Sequence, residues 1–206
     1  MTLERLEIDF QPTELPGKAR DYLEAVDPFI EKHRVDVAKD FRGFVPCDYP
    51  LAYQNLKAIR DSYLLCGDRF CEWGSGLGVV AALAKLAGFE AYGIEKDEVV
   101  AEAASELVER FSIDVDLVCG SFIPADAQWI VDNAYAANDG DLALHTESDD
   151  AYEMLGEDID SFDLIFAFPW PNDLDLVRRL FEEYAADGTV LMTYNDRDLF
   201  QFHRKS

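Results

Sequence analysis

Between Arg69 and Glu98 the chain reads RFCEWGSGLGVVAALAKLAGFEAYGIEKDE. Gly74, Gly76 and Gly78 directly follow a short apolar run, RFCEW, that contains an acid, Glu72, and the next apolar run, EAYGIE, ends on a second acid, Glu95. A strand that feeds a helix through glycines lets backbone N–H groups and the helix N-terminus approach a ligand closely, because glycine has no Cβ to block it. A dinucleotide-binding turn wants G-x-G-x-x-G, whose third glycine would stand at position 79. Val79 occupies that place and the glycine comes one residue earlier, so the pattern is E-x-G-x-G-x-G.

Outward from this stretch, short apolar runs alternate with helical ones, which is the signature of successive βα units and a parallel sheet. The reading predicts strands at RFCEW, EAYGIE, VDLVCG (Val115–Gly120), FDLIFAF (Phe162–Phe168) and GTVLMTY (Gly188–Tyr194). Helices are predicted at Val79–Leu86, Glu98–Phe111, through Trp129 and Ile130, and at Leu174–Tyr184. In the second of these Val99, Ala103 and Leu107 recur at helical spacing. Ahead of the repeat lie an arm with a short strand near Leu6–Phe10 and a helix from Lys18 to Asp40, with Tyr22, Val26, Ile30, His33 and Val37 on one side. A loop at FRGFVPCDYP and a helix at Leu51–Ser62 follow. Residues 1–66 are thus expected to cap a core at 67–206, and the acidic segment 138–160 is expected to be a surface insertion with a lid role or a short helix of its own.

The 206 residues suffice for one sizeable core, and 49% hydrophobic content supports its burial. Forty-two acidic against eighteen basic residues give a net charge of -24. That charge argues against phosphate backbones and anionic lipid as partners. It favours a cationic or amine-bearing partner, or serves only as a solvated surface. The cysteines, Cys47, Cys66, Cys71 and Cys119, form no CxxC pair, so neither disulfides nor a metal site is expected. No apolar run approaches the roughly 18 residues of a membrane helix, and no leader opens the chain, which makes the cytoplasm the expected location. WGSG is not a nucleophile elbow, since Trp73 and Leu77 stand where glycines would be needed, and His145 and His203 read as solvated.

From Phe70 to Tyr194 the chain resembles the class I S-adenosylmethionine-dependent methyltransferases, whose motif I, [DE]-x-G-x-G-x-G, matches Glu72, Gly74, Gly76 and Gly78 at each fixed position. The resemblance implies a Rossmann-like doubly wound α/β fold, a mostly parallel sheet with helices on both faces, and S-adenosyl-L-methionine as cofactor. Under it Glu72, Gly74, Ser75, Gly76 and Gly78 attend the methionine portion, Glu95 accepts from both ribose hydroxyls and Lys96 packs on the adenine. In such proteins the third strand ends in a G-D turn whose acid reads the adenine amino group; here Gly120 is followed by Ser121, which leaves that task to the Ser121 hydroxyl and the Phe122 backbone or ring. For Glu95 a cap on the next helix, shared with Asp97, is the structural alternative.

After the fourth strand FAFPWPND stands where amino-group methyltransferases carry [DNS]-P-P-[YFW]. Phe168, Pro169 and Trp170 resemble a degenerate form, with the polar first residue replaced by Phe168. Trp170 reads as a substrate wall or as plain packing, Pro169 as a rigid carbonyl, and Asn172 and Asp173 as a cap on the following helix. Asp48 is a candidate general base or, equally, a helix N-cap. The resemblance implies an enzyme that methylates a small molecule or a protein, with nitrogen the favoured acceptor. The alternative is a catalytically inactive S-adenosylmethionine-binding regulatory module. Because only Asn195 to Ser206 follow the fifth strand, the C-terminal hairpin usual in these sheets is expected to be truncated to five parallel strands plus a sixth from arm or tail. The exposed edge would need a covering helix or a second subunit, which leaves a homodimer open.

Overall fold

The computed structural model describes residues 3–9, 12, 14–36, 45–137, 142–144, 147–149, 151–194 and 199–206, without the side chains of 33–36. The side chain of His33 and the residues Val37 and His145 lie outside what is described.

β2 (Arg69–Trp73) shows how the sequence builds two cores at once. Successive side chains of a strand point to opposite faces, so Phe70 enters one apolar cluster while Cys71 and Trp73 enter the other. The same alternation runs through β5 (Leu164–Ala167) and β6 (Val190–Tyr194), whose residues are all buried. A strand buried on both faces reads as a continuous apolar run, as a parallel sheet covered by helices requires.

Among the described residues the sheet has seven strands which, with β1 (Leu3–Leu6), β3 (Glu90–Glu95), β4 (Asp116–Cys119) and β7 (Phe200–Lys205), run in the order β1-β7-β6-β5-β2-β3-β4. β3 (Glu90–Glu95), β4 (Asp116–Cys119), β5 and β6 lie parallel around β2, and β2 has β3 on one side and β5 on the other. The chain therefore builds outward from β2 to β4, returns, and builds the other way. Ligands of open α/β sheets sit at such a reversal, outside the carboxyl ends of the strands.

α1 (Gly17–Asp36), α2 (Tyr49–Asp61), α3 (Val79–Ala87) and α4 (Glu98–Arg110) contribute to the first cluster, where Tyr22, Val26 and Ile30 pack as the spacing predicts. α5 (Gln128–Ala137), α6 (Ala151–Leu155) and α7 (Leu174–Tyr184) contribute to the second. In α4 the inward residues are Val100, Ala103, Ala104, Leu107 and Val108, and Val99 is turned outward.

The far edge differs from the expectation. The tail forms β7 (Phe200–Lys205), antiparallel to β6, and the arm forms β1 (Leu3–Leu6), antiparallel to β7, with Leu3 opposite Lys205 and Leu6 opposite Phe202. Both ends of the chain thus contribute where one was predicted, and the arm strand lies several residues earlier than Leu6–Phe10. His203, expected in a solvated tail, is a half-buried strand residue whose pKa is lowered, first by burial and then by Arg178 and Arg5. Lys205 is buried and its ammonium donates to the Ala185 carbonyl, which ties β7 to the end of α7.

β1 covers an otherwise unpaired strand, and an exposed edge invites pairing with another chain. A chain lacking the first nine residues should melt several degrees lower and self-associate with rising concentration, as read by calorimetry and sedimentation. An unchanged midpoint and a monodisperse species would show that β1 does not hold the edge.

Candidate functional site

At the end of β2 the backbone turns through Gly74, Gly76 and Gly78, with φ of 69°, 53° and 64°. These left-handed values are disfavoured for residues bearing a Cβ. The turn is fastened by the Ser75 N–H to the Ile94 carbonyl at 2.9 Å and the Gly78 N–H to the Ser75 carbonyl at 2.7 Å. A Cβ on Gly78 would lie 3.0 Å from Leu117 Cδ1, whereas a Cβ on Gly74 would meet nothing within 4 Å. Gly78 therefore packs the turn against the sheet, and Gly74 leaves its outer side open.

Two carboxylates hold the turn from below. Glu72 is 5% exposed, and its Oε2 accepts the Ala81 N–H at 2.7 Å in the first turn of α3. Burial raises its pKa well above the ordinary carboxylate value; the Ala81 hydrogen bond opposes the rise and the Glu95 charge adds to it. Glu95 Oε2 accepts the Gly76 N–H at 2.7 Å and Oε1 the Asp97 N–H at 2.9 Å. Its pKa is raised by burial, against the pull of those N–H groups. Among the described residues no basic side chain forms an ion pair with either acid. The cap on α4 belongs to Asp97 alone, whose carboxylate accepts from Val99 N at 3.0 Å and Val100 N at 3.1 Å. Glu95 instead reaches across to the glycine turn.

Cys47, Tyr49 and Tyr22 surround Glu72 from the α1 and α2 side. Burial raises all three of their pKa values, and the Glu72 charge adds to each rise. The Tyr22 hydroxyl is buried with no hydrogen-bond partner among the described residues.

The end of β4 departs from expectation. Ser121 is buried and its Oγ accepts the Ile123 N–H at 3.1 Å, while Phe122 stacks on Trp73 at 5.1 Å and its carbonyl accepts from the Tyr152 hydroxyl at 2.8 Å. Ser121 and the Phe122 ring and carbonyl are thus engaged inside the protein rather than presented to a base. Lys96, expected to lie flat on a ring, pairs with Asp149 at 3.1 Å and approaches Glu147 at 3.9 Å. Both acids come from the insertion.

No protein-family model matches the sequence, and no curated protein matches it significantly. Solved structures do. An RNA methyltransferase from Salinibacter ruber, in complex with S-adenosyl-L-homocysteine, superposes with a TM-score of 0.51 at 15% identity, over 78% of this chain and 92% of its own. An O-methyltransferase from Bacillus cereus, in complex with the same compound, gives 0.53 at 14% identity, over 88% of this chain and 67% of its own. The fold is that of the S-adenosylmethionine-dependent methyltransferases.

In this methyltransferase fold the segment after β5 stands beside the glycine turn. Phe168 is half-buried and edge-on to Tyr194 at 4.9 Å, Pro169 is half-buried, and Trp170 keeps 49% of its surface exposed. Asp173 stands at the N-cap position of α7, as expected, but its side chain makes no cap hydrogen bond. It is fully buried, and its Oδ1 accepts the Ala143 N–H at 3.0 Å, which fastens the insertion to the start of α7. Asp48 caps α2, accepting the Leu51 N–H at 2.9 Å. Such a cap is worth about 1 kcal/mol. Among the described residues no cluster of His, Cys, Asp and Glu could hold a metal, and no helix is long and apolar enough to cross a membrane.

The buried acids carry a pH signature. A carboxyl whose folded pKa is raised binds its proton more tightly in the folded state, so it contributes stability fully present below the ordinary value of 4.5 and lost as pH climbs through the folded value. The melting temperature of the ligand-free protein should therefore fall as the pH rises above the ordinary carboxylate value of 4.5. Glu72→Gln keeps an acceptor for Ala81 N and removes the buried charge, so it should melt higher than the parent at the upper pH and with a shallower pH slope. A lower midpoint for Glu72→Gln at every pH would contradict the assignment.

Proposed function

We propose that the chain is an S-adenosylmethionine-dependent methyltransferase acting on a nitrogen acceptor, a small amine or a protein side chain. The observation that carries this is the buried carboxylate of Glu72 and the half-buried one of Glu95, neither in an ion pair among the described residues, flanking a glycine turn whose outer side is open at Gly74. The donor set fits the cofactor. Glu72 and the backbone of Gly74–Gly78 would hold the cationic amino-acid half, where attraction in a partly desolvated crevice exceeds that in water several-fold. Glu95, an acceptor when ionised, would hold the sugar hydroxyls.

When bound, S-adenosylmethionine supplies a methyl group on a positively charged sulfur. The protein positions the acceptor nitrogen in line, an effect worth up to roughly 7–11 kcal/mol in well-oriented systems. Trp170, half in solvent beside Pro169, offers an aromatic wall for a flat or cationic acceptor. The net charge of -24 favours a basic acceptor over a nucleic acid.

Phe168 in place of a polar side chain and Asp48 engaged as a cap favour a second reading, a module that binds the cofactor and transfers nothing. Titration calorimetry and a labelled methyl donor separate the two. Donor and demethylated product should bind and NAD should not. Glu95→Ala should weaken donor binding tenfold or more, about 1.4 kcal/mol. With labelled donor and cell extract, an enzyme passes label to an acceptor, and Trp170→Ala slows that transfer without changing donor affinity. Tight donor binding with no label transferred to any extract would favour the module, and no donor binding would refute both.

A further inference from the structure

A cavity of about 330 Å³ opens between α1 and α4, lined by Ala25, Pro28, Phe29 and Lys32 from the first helix and by Glu106 and Arg110 from the second. Its volume falls in the range of small-ligand sites, roughly 300–1,000 Å³. Helical spacing brings these residues together. Ala25, Pro28, Phe29 and Lys32 recur at intervals of three and four and share one side of α1, and Glu106 and Arg110, four apart, share one side of α4. The lining is chemically divided. Ala25, Pro28 and Phe29 give carbon surface, and Pro28, which stands inside α1, brings no N–H to it. The charged part sets two cations against one carboxylate.

That balance reverses the one of the whole chain, which has 42 acids and 18 bases. Arg60, Arg69, Lys85 and Lys96 each pair with an acid from another part of the chain. Lys32 and Arg110 form no ion pair among the described residues, although Glu106 stands one helical turn before Arg110, where such pairs commonly close. Arg110 lies instead over the Phe111 ring, 5.9 Å from its centroid. The Lys32 ammonium and the Arg110 guanidinium therefore keep N–H donors for an acceptor from outside, beside an apolar floor.

We propose that this cavity binds a small amphipathic carboxylate, its apolar body on Ala25, Pro28 and Phe29 and its charged end between Lys32 and Arg110. Both parts of the ligand are needed. The field of a protein with a net charge of -24 repels a free anion, and only within a Debye length, roughly 8 Å at physiological salt, do the two cations outweigh Glu106. Burial of the apolar body adds the attraction that the charges alone do not supply. A cation of the same shape would meet Lys32 and Arg110 and be disfavoured. None of the six lining residues is assigned to the methyl donor.

The test is titration of the full chain at neutral pH with octanoate, 1-octanol and octylammonium, followed by calorimetry and by backbone amide shifts in NMR spectra. Octanoate should give saturable shifts centred on Ala25, Lys32 and Arg110 and bind roughly tenfold tighter than octanol, with octylammonium weaker than either. Lys32→Met and Arg110→Met, both at exposed positions, should each weaken octanoate about three- to tenfold and leave octanol unchanged. Glu106→Gln should strengthen octanoate, and salt at about 0.5 M should shrink its advantage over octanol. Octanol bound as tightly as octanoate, a preference for octylammonium, or an octanoate affinity untouched by either methionine substitution would overturn the proposal. So would the absence of any saturable shift at these residues.

Discussion

The Gly76 N–H held by the Glu95 carboxylate at 2.7 Å joins the two strands that define the crevice. The bond exists only because the backbone at Gly74, Gly76 and Gly78 adopts left-handed φ values, each of which would cost a residue with a Cβ about 1–2 kcal/mol. The same turn delivers the Ala81 N–H to Glu72, which places that acid inside the protein rather than beside it. Desolvating Glu72 fully and Glu95 in part, with no ion pair to either among the described residues, raises both pKa values, an unfavourable arrangement that a cationic ligand at this turn would relieve. Functional sites are where such tension concentrates.

From that turn the molecule divides into two ends joined by the insertion. At the end of β4 Lys96, Asp149 and Ser121 are linked; after β5 Ala143 hangs from Asp173, a few residues beyond Phe168, Pro169 and Trp170. α6 lies between them in sequence, and its Tyr152 hydroxyl donates to the carbonyl of Phe122, itself stacked on Trp73 at the end of β2. The acidic segment, expected as a surface insertion with a lid role or a short helix, does carry the helix α6 and is tied to the turns after β4 and before α7.

The βα repeat was legible because periodicity is local. RFCEW, EAYGIE and Leu174–Tyr184 fold over the residues the pattern predicts. The glycine turn and its acids were legible because their spacing is short and their chemistry narrow. What was not legible involves long sequence separation. β1 and β7 pair across nearly the whole chain, and nothing within MTLERLEIDF announces a partner at FQFHRK. Asp149 reaches Ser121 over 28 residues, and Asp173 reaches Ala143 over 30. In both cases an aspartate that resembles a loop or cap residue is taken by a distant backbone N–H. The burial of Phe122 was not legible for a related reason: its partners, Trp73 and Tyr152, lie on other elements. A slight sign was the glycine at position 120, which the insertion needs as much as any ligand does.

Soaking or co-crystallising the protein with S-adenosylhomocysteine and solving the structure tests the central claim most directly. The account predicts the amino-acid half lying along Gly74–Gly78 over Glu72, with both sugar hydroxyls on Glu95. An empty crevice at saturating compound, or the compound seated elsewhere with Glu95 still bonded only to the backbone, would contradict it.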